Sequence, residues 1–310
     1  MKKFDFDFYK NRKILFGISI GLMVIGLIFN FIRGTKMDIQ FVGGAMIKYS
    51  VDGEVDTDEI ASLVKEETGR DVSVALSKTF GTDANQVTLS FAGNEAVTLD
   101  EQQAIAQSLS DAYADRTFNV VESSSVDPTM GAKFFQKCLV CLLITFVILL
   151  VYIALRFKKI GGLSAGVTAL IALVHDVLLV YFTFVIFGFS INDIFIAVIL
   201  TILGYSLNDT IVIYDRIREN RKLSPTKSPD ALPVNKSLNQ TMTRSILTSL
   251  TTFMALLVIY IVAAVYGISS VQSFALPMMV GTIVGCYSSL CIAAPLYTMW
   301  AVHKGEKSKK

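Results

Sequence analysis

Asp209 lies inside an apolar run that begins near Ile194 and continues into "GYSLNDTIVIYDRIREN" (204–220). A carboxylate is costly to hold in a low-dielectric interior unless it is paired, hydrated or protonated. Asn208 precedes it, and Asp215, Arg216 and Arg218 follow where the run turns polar. A second stretch, "NKSLNQTMTRSILTSLTT" (235–252), repeats Gln240, Arg244, Thr248 and Thr252 at every fourth position, a single polar stripe on a helix. Asp209 sits about four residues, or ~6 Å, from the polar end of its helix, and Arg244 at a similar depth, so the two can pair. The chemistry open to them is ion transfer. The cation and desolvation push the proton affinity of the acid in opposite directions. One proton crossing a membrane at 100 mV delivers ~2.3 kcal/mol, enough to bias a two-state element. A static ion pair that fixes helix packing is the alternative.

A second ionisable pair, His175–Asp176, falls half way along another apolar run. Adjacent residues stand about 100° apart on a helix, so both can face a bundle without facing each other. A secondary polar relay (His175, Asp176, Gln240, Thr248) and simple packing both remain open. The four cysteines all sit in apolar runs, so no disulfide framework is expected, and Cys138-x-x-Cys141 reads as packing. No metal site, cofactor or bond-breaking constellation is expected.

These groups need a scaffold in a bilayer. Of the 310 residues 53% are hydrophobic, and the excess is gathered in six blocks long enough to cross a core of ~30 Å. The segments read as a 1–13 N-terminus, spans at 14–32, 134–156, 160–187, 191–214, 244–266 and 271–302, a 33–133 domain between the first two, a 215–243 loop and a 303–310 tail. Lys and Arg cluster before the first span, between the second and third, between the fourth and fifth, and after the sixth. The other loops, "GFSIND" and "GISSVQS", carry none. Both termini are therefore expected in the cytoplasm, with 33–133 on the external face. Gly17/Gly21, Gly162/Gly166 and Gly281/Gly285 are G-x-x-x-G pairs that favour close helix contact, the last pair making the sixth helix a tight partner for the fourth. Gly17/Gly21 reads equally well as chance.

Residues 33–133 hold 17 acidic and 8 basic residues, a formal charge of −9. "DIQFVGGAMIKYSV" alternates as a strand, "DTDEIASLVKEETG" is a capped helix, and "DVSVALSKTF" and "NQVTLSFAG" are strands joined by a Gly/Asp/Asn turn. "TLDEQQAIAQSLSDAYAD" is a second helix and "FNVVESSSV" a last strand. The order β-α-β-β-α-β is ferredoxin-like. The fold class is an α-helical membrane protein of six transmembrane helices with an α+β ferredoxin-like external domain between helices 1 and 2. That domain has no His, no Cys and no phosphate-type Gly loop, which suits contact rather than catalysis.

Five motifs occur together in order: "FVGG" (Phe41, Gly43, Gly44), "ALVHDV" (172–177), "GYSLNDTIVIYDRIREN" (with Gly204, Tyr205, Asp215, Arg216 and Arg218), "NKSLNQTMTRSILTSLTT" (with Asn239) and "FALPMMVGTIVGCYSSLCIAAPL" (274–296). In this the chain resembles the SecF family, subunits of the SecDF accessory complex of bacterial protein export within the RND superfamily. The resemblance implies a motor in the bacterial inner (plasma) membrane that uses the proton gradient, in some relatives sodium, to draw unfolded preprotein through SecYEG after SecA has started it. It implies Asp209 as the ion carrier, Arg244 as its electrostatic partner and Asn208 as a shaper of its hydrogen bonding. Expected partners are a SecD-like subunit, SecYEG, YajC, YidC, preprotein and membrane lipid, and no nucleic acid. A fused SecDF would need about twice as many spans, so the separate-subunit form is expected. A passive assembly subunit and an RND-type small-molecule exporter are the competing readings.

Overall fold

The structure is a computed structural model that describes residues 6–53, 55–78, 84–92, 97–113, 116–223, 231–266 and 268–307. Six helices are long and apolar enough to cross a membrane. They are α1 (Arg12–Arg33), α5 (Pro128–Arg156), α6 (Gly162–Phe187), α7 (Asp193–Leu223), α8 (Ala231–Val265) and a composite sixth span. The sixth runs through α9 (Ser269–Ser288), a π-helical turn (Ser289–Ala293) and α10 (Ala294–Lys307). Local chemistry sets the start of α5: the Asp127 carboxylate accepts from Thr129 N at 2.8 Å and Pro128 occupies the first turn. The 215–243 stretch read as a loop is largely helical, because α7 runs on to Leu223 and α8 begins at Ala231. The charged residues there ride on helix extensions.

The spans form two tiers. More than half of α6, α7 and the sixth span is buried within the chain, whereas α1, α5 and α8 show most of their surface. That surface is Ile, Leu, Val and Phe, for example Leu143 and Ile32. Such an apolar exterior suits hydrocarbon, where the helices also satisfy their own backbone groups. A Cβ at Gly281 would overlap Ile202 of α7, and one at Gly285 would press on Ser206, so α9 seats directly on α7. Gly162 is equally tight, against the backbone of Ala154 in α5, while Gly17 and Gly21 meet nothing.

The segment between α1 and α5 holds a four-stranded antiparallel sheet of order β2-β3-β1-β4, with β1 (Gly44–Asp52), β2 (Val72–Lys78), β3 (Ala84–Ala92) and β4 (Asn119–Val126). Helices α3 (Thr57–Thr68) and α4 (Leu99–Ala112) complete the βαββαβ order. Alternate side chains of β1 and β3 (Ile47, Tyr49, Val87, Leu89, Phe91) meet Ile60, Val64, Ile105 and Leu109 in a closed apolar core. Thr98 and Glu101 form a reciprocal capping box on α4, which holds the Glu101 carboxyl below its usual range through the Thr98 backbone and hydroxyl. Burial pushes the Tyr49 phenol up to about 12. The turn between β2 and β3 lies outside the described residues.

One strand boundary differs from the alternation read in sequence. Ile39–Val42 form a single helical turn, α2, capped by Asp38, and β1 starts only at Gly44. Gly44 has φ 138°, and a Cβ there would strike the carbonyl oxygen of Phe91, so backbone rather than side chain fills the site. The α2 turn places buried Phe41 against Phe134 and Phe135 of α5, ring centroids 5.6 and 5.2 Å away. Asp38 N donates to Ile191 O (3.1 Å) and Ile191 N to Lys36 O (2.8 Å), tying the root of the sheet domain to the α6–α7 connection.

Candidate functional site

Ser206, Asp209 and Thr210 occupy a buried turn of α7, packed between α6, α8 and the sixth span. Asp209 is 4% exposed, and its Oδ2 is enclosed without a hydrogen bond. Ser245 of α8 lies beside it, its hydroxyl acting on the carboxyl from beyond normal hydrogen-bond geometry. Cys286 of α9 faces the same carboxyl. An enclosed acid with an unused lone pair is held in place but not saturated.

Arg244 acts on Asp209 electrostatically, yet the two form no ion pair within 4.0 Å, and the Arg244 side chain is exposed. The direct pair read from depth alone is therefore replaced by a longer-range arrangement. The guanidinium lines a cleft of about 560 Å³ with Val212, Asp215, Arg216, Gln240 and Thr241. The cleft opens where α7 and α8 carry their charges, and Arg244, which lines it, also acts on the enclosed acid. At the rim Asp215 accepts from Arg156 (3.1 Å) and pairs with Arg218 (2.8 Å). Arg216 bridges Glu219 and donates to Gln240 Oε1 (2.7 Å), which also accepts from Asn220 Nδ2 (2.8 Å). The charged half of the "YDRIREN" motif is thus a clasp holding α5, α7 and α8 around the cleft mouth.

The inward stripe of α8 lies one residue along from the one read in sequence. Ser237, Thr241, Ser245 and Ser249 are buried, whereas Gln240 and Arg244 face outward and Thr248 and Thr252 are half-buried. Thr248 Oγ1 donates to Arg244 O within its own helix (2.9 Å). Tyr205 donates to Ser249 Oγ (3.2 Å), but Asn208 and Gly204 are exposed, so Asn208 does not shape hydrogen bonding at Asp209. Asn239 clamps the chain start: its Oδ1 accepts from Phe6 N (3.0 Å) and its Nδ2 donates to Phe6 O (2.9 Å), while Asn235 Oδ1 accepts from Phe8 N (2.9 Å).

His175 and Asp176 do meet. Asp176, fully enclosed, lies 3.1 Å through Oδ1 from His175 Nδ1, and its Oδ2 accepts from Ser206 Oγ of α7 (2.6 Å) and Ser288 Oγ of α9 (2.8 Å). Ser289 Oγ donates to Ser206 O (3.2 Å) and shares a bond with Thr210 Oγ1 (2.9 Å). Ser206 drew no attention in the sequence, because serine is common in spans where it bonds its own helix. No cluster of His, Cys, Asp and Glu able to hold a metal ion occurs among the described residues.

The family description "Protein export membrane protein SecD/SecF, C-terminal" matches residues 105–303. The protein translocase subunit SecF of Petrotoga mobilis is 32% identical over 309 residues, 99% of each chain. The chain belongs to the SecF family. The SecF of Helicobacter pylori is also 32% identical, over 92% of this chain and 83% of that one. The crystal structure of SecDF from Thermus, a translocon-associated membrane protein, superposes with a TM-score of 0.80 at 27% identity over 96% of this chain. A second SecDF structure, in a super-membrane-facing form, gives 0.68 at 28% identity over 99%. This SecF-family chain spans 38% of the length of the first SecDF chain and 40% of the second. Those structures share its multi-pass helical fold with the sheet domain between the first two spans.

Proposed function

We propose that the chain is an ion-gradient-coupled subunit of bacterial protein export rather than a bond-breaking enzyme. With a SecD-like partner it uses the proton or sodium motive force to promote preprotein movement through SecYEG after the SecA-driven step. It sits in the inner membrane with both termini in the cytoplasm and the sheet domain on the external face, the arrangement favoured by the Lys and Arg clusters. SecYEG and the unfolded preprotein are its working partners, with YajC and YidC as neighbours, and it takes no cofactor beyond the coupling ion.

The observation that carries this reading is Asp209, enclosed with Oδ2 unbonded, beside Ser245 and within electrostatic reach of Arg244, which lines an open cleft. A purely structural acid would be expected to use both oxygens. Asp209 instead keeps acceptor capacity for an arriving ion, and the cleft lies on the charged side of α7 and α8 with Arg244 in its wall. The cation of Arg244, held beyond ion-pair distance, does not lock the acid. The test is translocation of a preprotein into membrane vesicles carrying Asp209→Asn, which keeps shape and removes titration. The gradient-stimulated part of the rate falls to the gradient-independent level. A variant that responds to the gradient like the parent contradicts the proposal.

A further inference from the structure

Asp209 is not the only buried acid, and the other has the parts of a switch. We propose that His175 and Asp176 form a second proton-binding site, separate from Asp209, whose loading loosens the π-helical turn of the sixth span from α6. The inference rests on the ion-coupled reading above and extends it to a different helix.

Consider what the site does with one proton. Unloaded, the imidazole is neutral, its Nδ1–H donates to Asp176 Oδ1, and the hydroxyls of Ser206 and Ser288 donate to Oδ2. Every carboxylate oxygen is then bonded, but the site carries a net negative charge in an interior with no cation against it. Loaded, the added proton makes either an imidazolium or a carboxyl that donates to Nδ1. Both arrangements cancel the net charge, and both leave a hydrogen on Nε2. That nitrogen is enclosed and has no hydrogen-bond partner. One state thus leaves a buried charge and the other a buried N–H without an acceptor, costs that oppose each other. A pair poised in this way changes state under a modest bias.

No other ionisable group overrides the balance. From the sixth span Tyr287 faces His175 at 6.4 Å between ring centres, with Cys291 beside Tyr287. The Tyr287 hydroxyl is engaged, donating to Leu15 O and accepting from Ser19 Oγ of α1. From α7 the facing group is Ser206, while Asp209 of the next turn faces α8. The charged residues of α1 and α5 (Arg12, Lys13, Arg33; Lys133, Lys137, Arg156) lie toward the helix ends.

The readout is built into α9. Ser288 is the last residue before the π turn Ser289–Ala293, and the Ser289 hydroxyl is tied to Ser206 and Thr210. The turn is therefore stapled to α6 through Ser288–Asp176, whose Oδ2 also holds Ser206 of α7, and to α7 directly through Ser289. Hydrogen bonds to a carboxylate are roughly twice as strong as neutral ones, so loading that leaves the proton on Asp176 Oδ1, with the imidazole hydrogen on Nε2, weakens the Ser288 staple. π turns interrupt α geometry and occur often at functional positions. Cys286, two residues before Ser288, faces Asp209, so motion of this turn is felt at both acids.

The chain contains two histidines, which makes the test direct. Full-length protein in lipid bilayers, labelled with ¹⁵N-histidine and carrying His303→Gln, reports His175 alone by solid-state NMR between pH 5 and pH 9. Nε2 is expected to pass from a bare nitrogen to an N–H as pH falls. Asp176→Asn should lower the midpoint by at least about one pH unit, because the carboxylate that favours the proton is gone. Amide exchange of residues 286–294, corrected for intrinsic rates, should rise on loading in the parent and lose its pH dependence in Ser288→Ala. An Nε2 fixed in one state across the range overturns the site using the parent protein alone. A midpoint unmoved by Asp176→Asn overturns the pair, an exchange profile indifferent to loading overturns the link to the π turn, and a midpoint that shifts when sodium replaces potassium overturns the assignment to protons. Translocation by Asp209→Asn is scored separately, so a static His175 beside a dead Asp209→Asn removes this site and leaves the proposed function standing.

Discussion

The sheet domain and the helix bundle are built inside out relative to each other. The domain is polar outside and closes on Ile47, Leu89, Phe91, Ile105 and Leu109, with Tyr49 its single buried titratable side chain among the described residues. The bundle is apolar outside and places Asp176, His175, Asp209, Asn220 and a set of Ser and Thr hydroxyls at its centre. In water the hydrophobic effect rewards the first arrangement. In hydrocarbon that reward between helices is absent, and small residues and polar contacts hold the helices together. The difference locates the chemistry: groups that change charge within a helix bundle can respond to a membrane potential, whereas the sheet domain has almost nothing inside it to titrate.

This contrast can be broken in several ways. The largest stability effect belongs to the domain core. Leu89→Ala should destabilise the sheet by about 2–5 kcal/mol, read as faster amide exchange in β1 and β3 of the full chain. Leu143→Ala, on the exposed face of α5, should change stability by no more than about 0.5 kcal/mol. Equal costs at the two positions would erase the distinction between a core and a lipid face.

The next effect is one of pH. Tyr49 has its folded pKa raised, from 10.0 to about 12, by burial. A raised folded value means that the stability is intact below pH 10 and is lost as pH climbs toward 12. The loss should reach about 2–3 kcal/mol, and Tyr49→Phe should remove that dependence in the exchange of β1. A parent profile flat to pH 12 would contradict the closed core. Smaller still is the packing contrast among glycines. Gly162→Ala forces α6 off the Ala154 backbone and should cost about 1–3 kcal/mol, whereas Gly17→Ala meets open space and should leave the thermal midpoint unchanged. If Gly17→Ala proves as damaging, α1 has a tight neighbour in the assembled complex.

Much of the fold was legible because it depends on period and composition. Long apolar blocks yielded the six spans, and alternation with capped helices yielded βαββαβ, since both patterns follow from backbone geometry. Asp209 was legible because an acid in an apolar run is costly and conspicuous. The inward face of α8 was not. Ser237, Thr241, Ser245 and Ser249 repeat with the same spacing as Gln240, Arg244, Thr248 and Thr252, and only the packing of α7 and α9 decides which set turns in. Asn208, beside Asp209 in sequence, points out for the same reason: about 100° of helix rotation separates neighbours. The π turn was equally invisible, because no run or spacing of residues marks Ser289–Ala293. Gly43–Gly44 looked like a pair within a strand, but Asp38 caps a helical turn before it and moves the strand start to Gly44.

The most direct measurement is an infrared difference spectrum, gradient imposed minus gradient collapsed, of the chain reconstituted with its SecD-like partner. We predict a carboxyl difference band, part of which disappears in Asp209→Asn. A spectrum identical in parent and variant would mean that Asp209 keeps its proton state through the cycle, and the ion-coupled role proposed for this acid would be wrong.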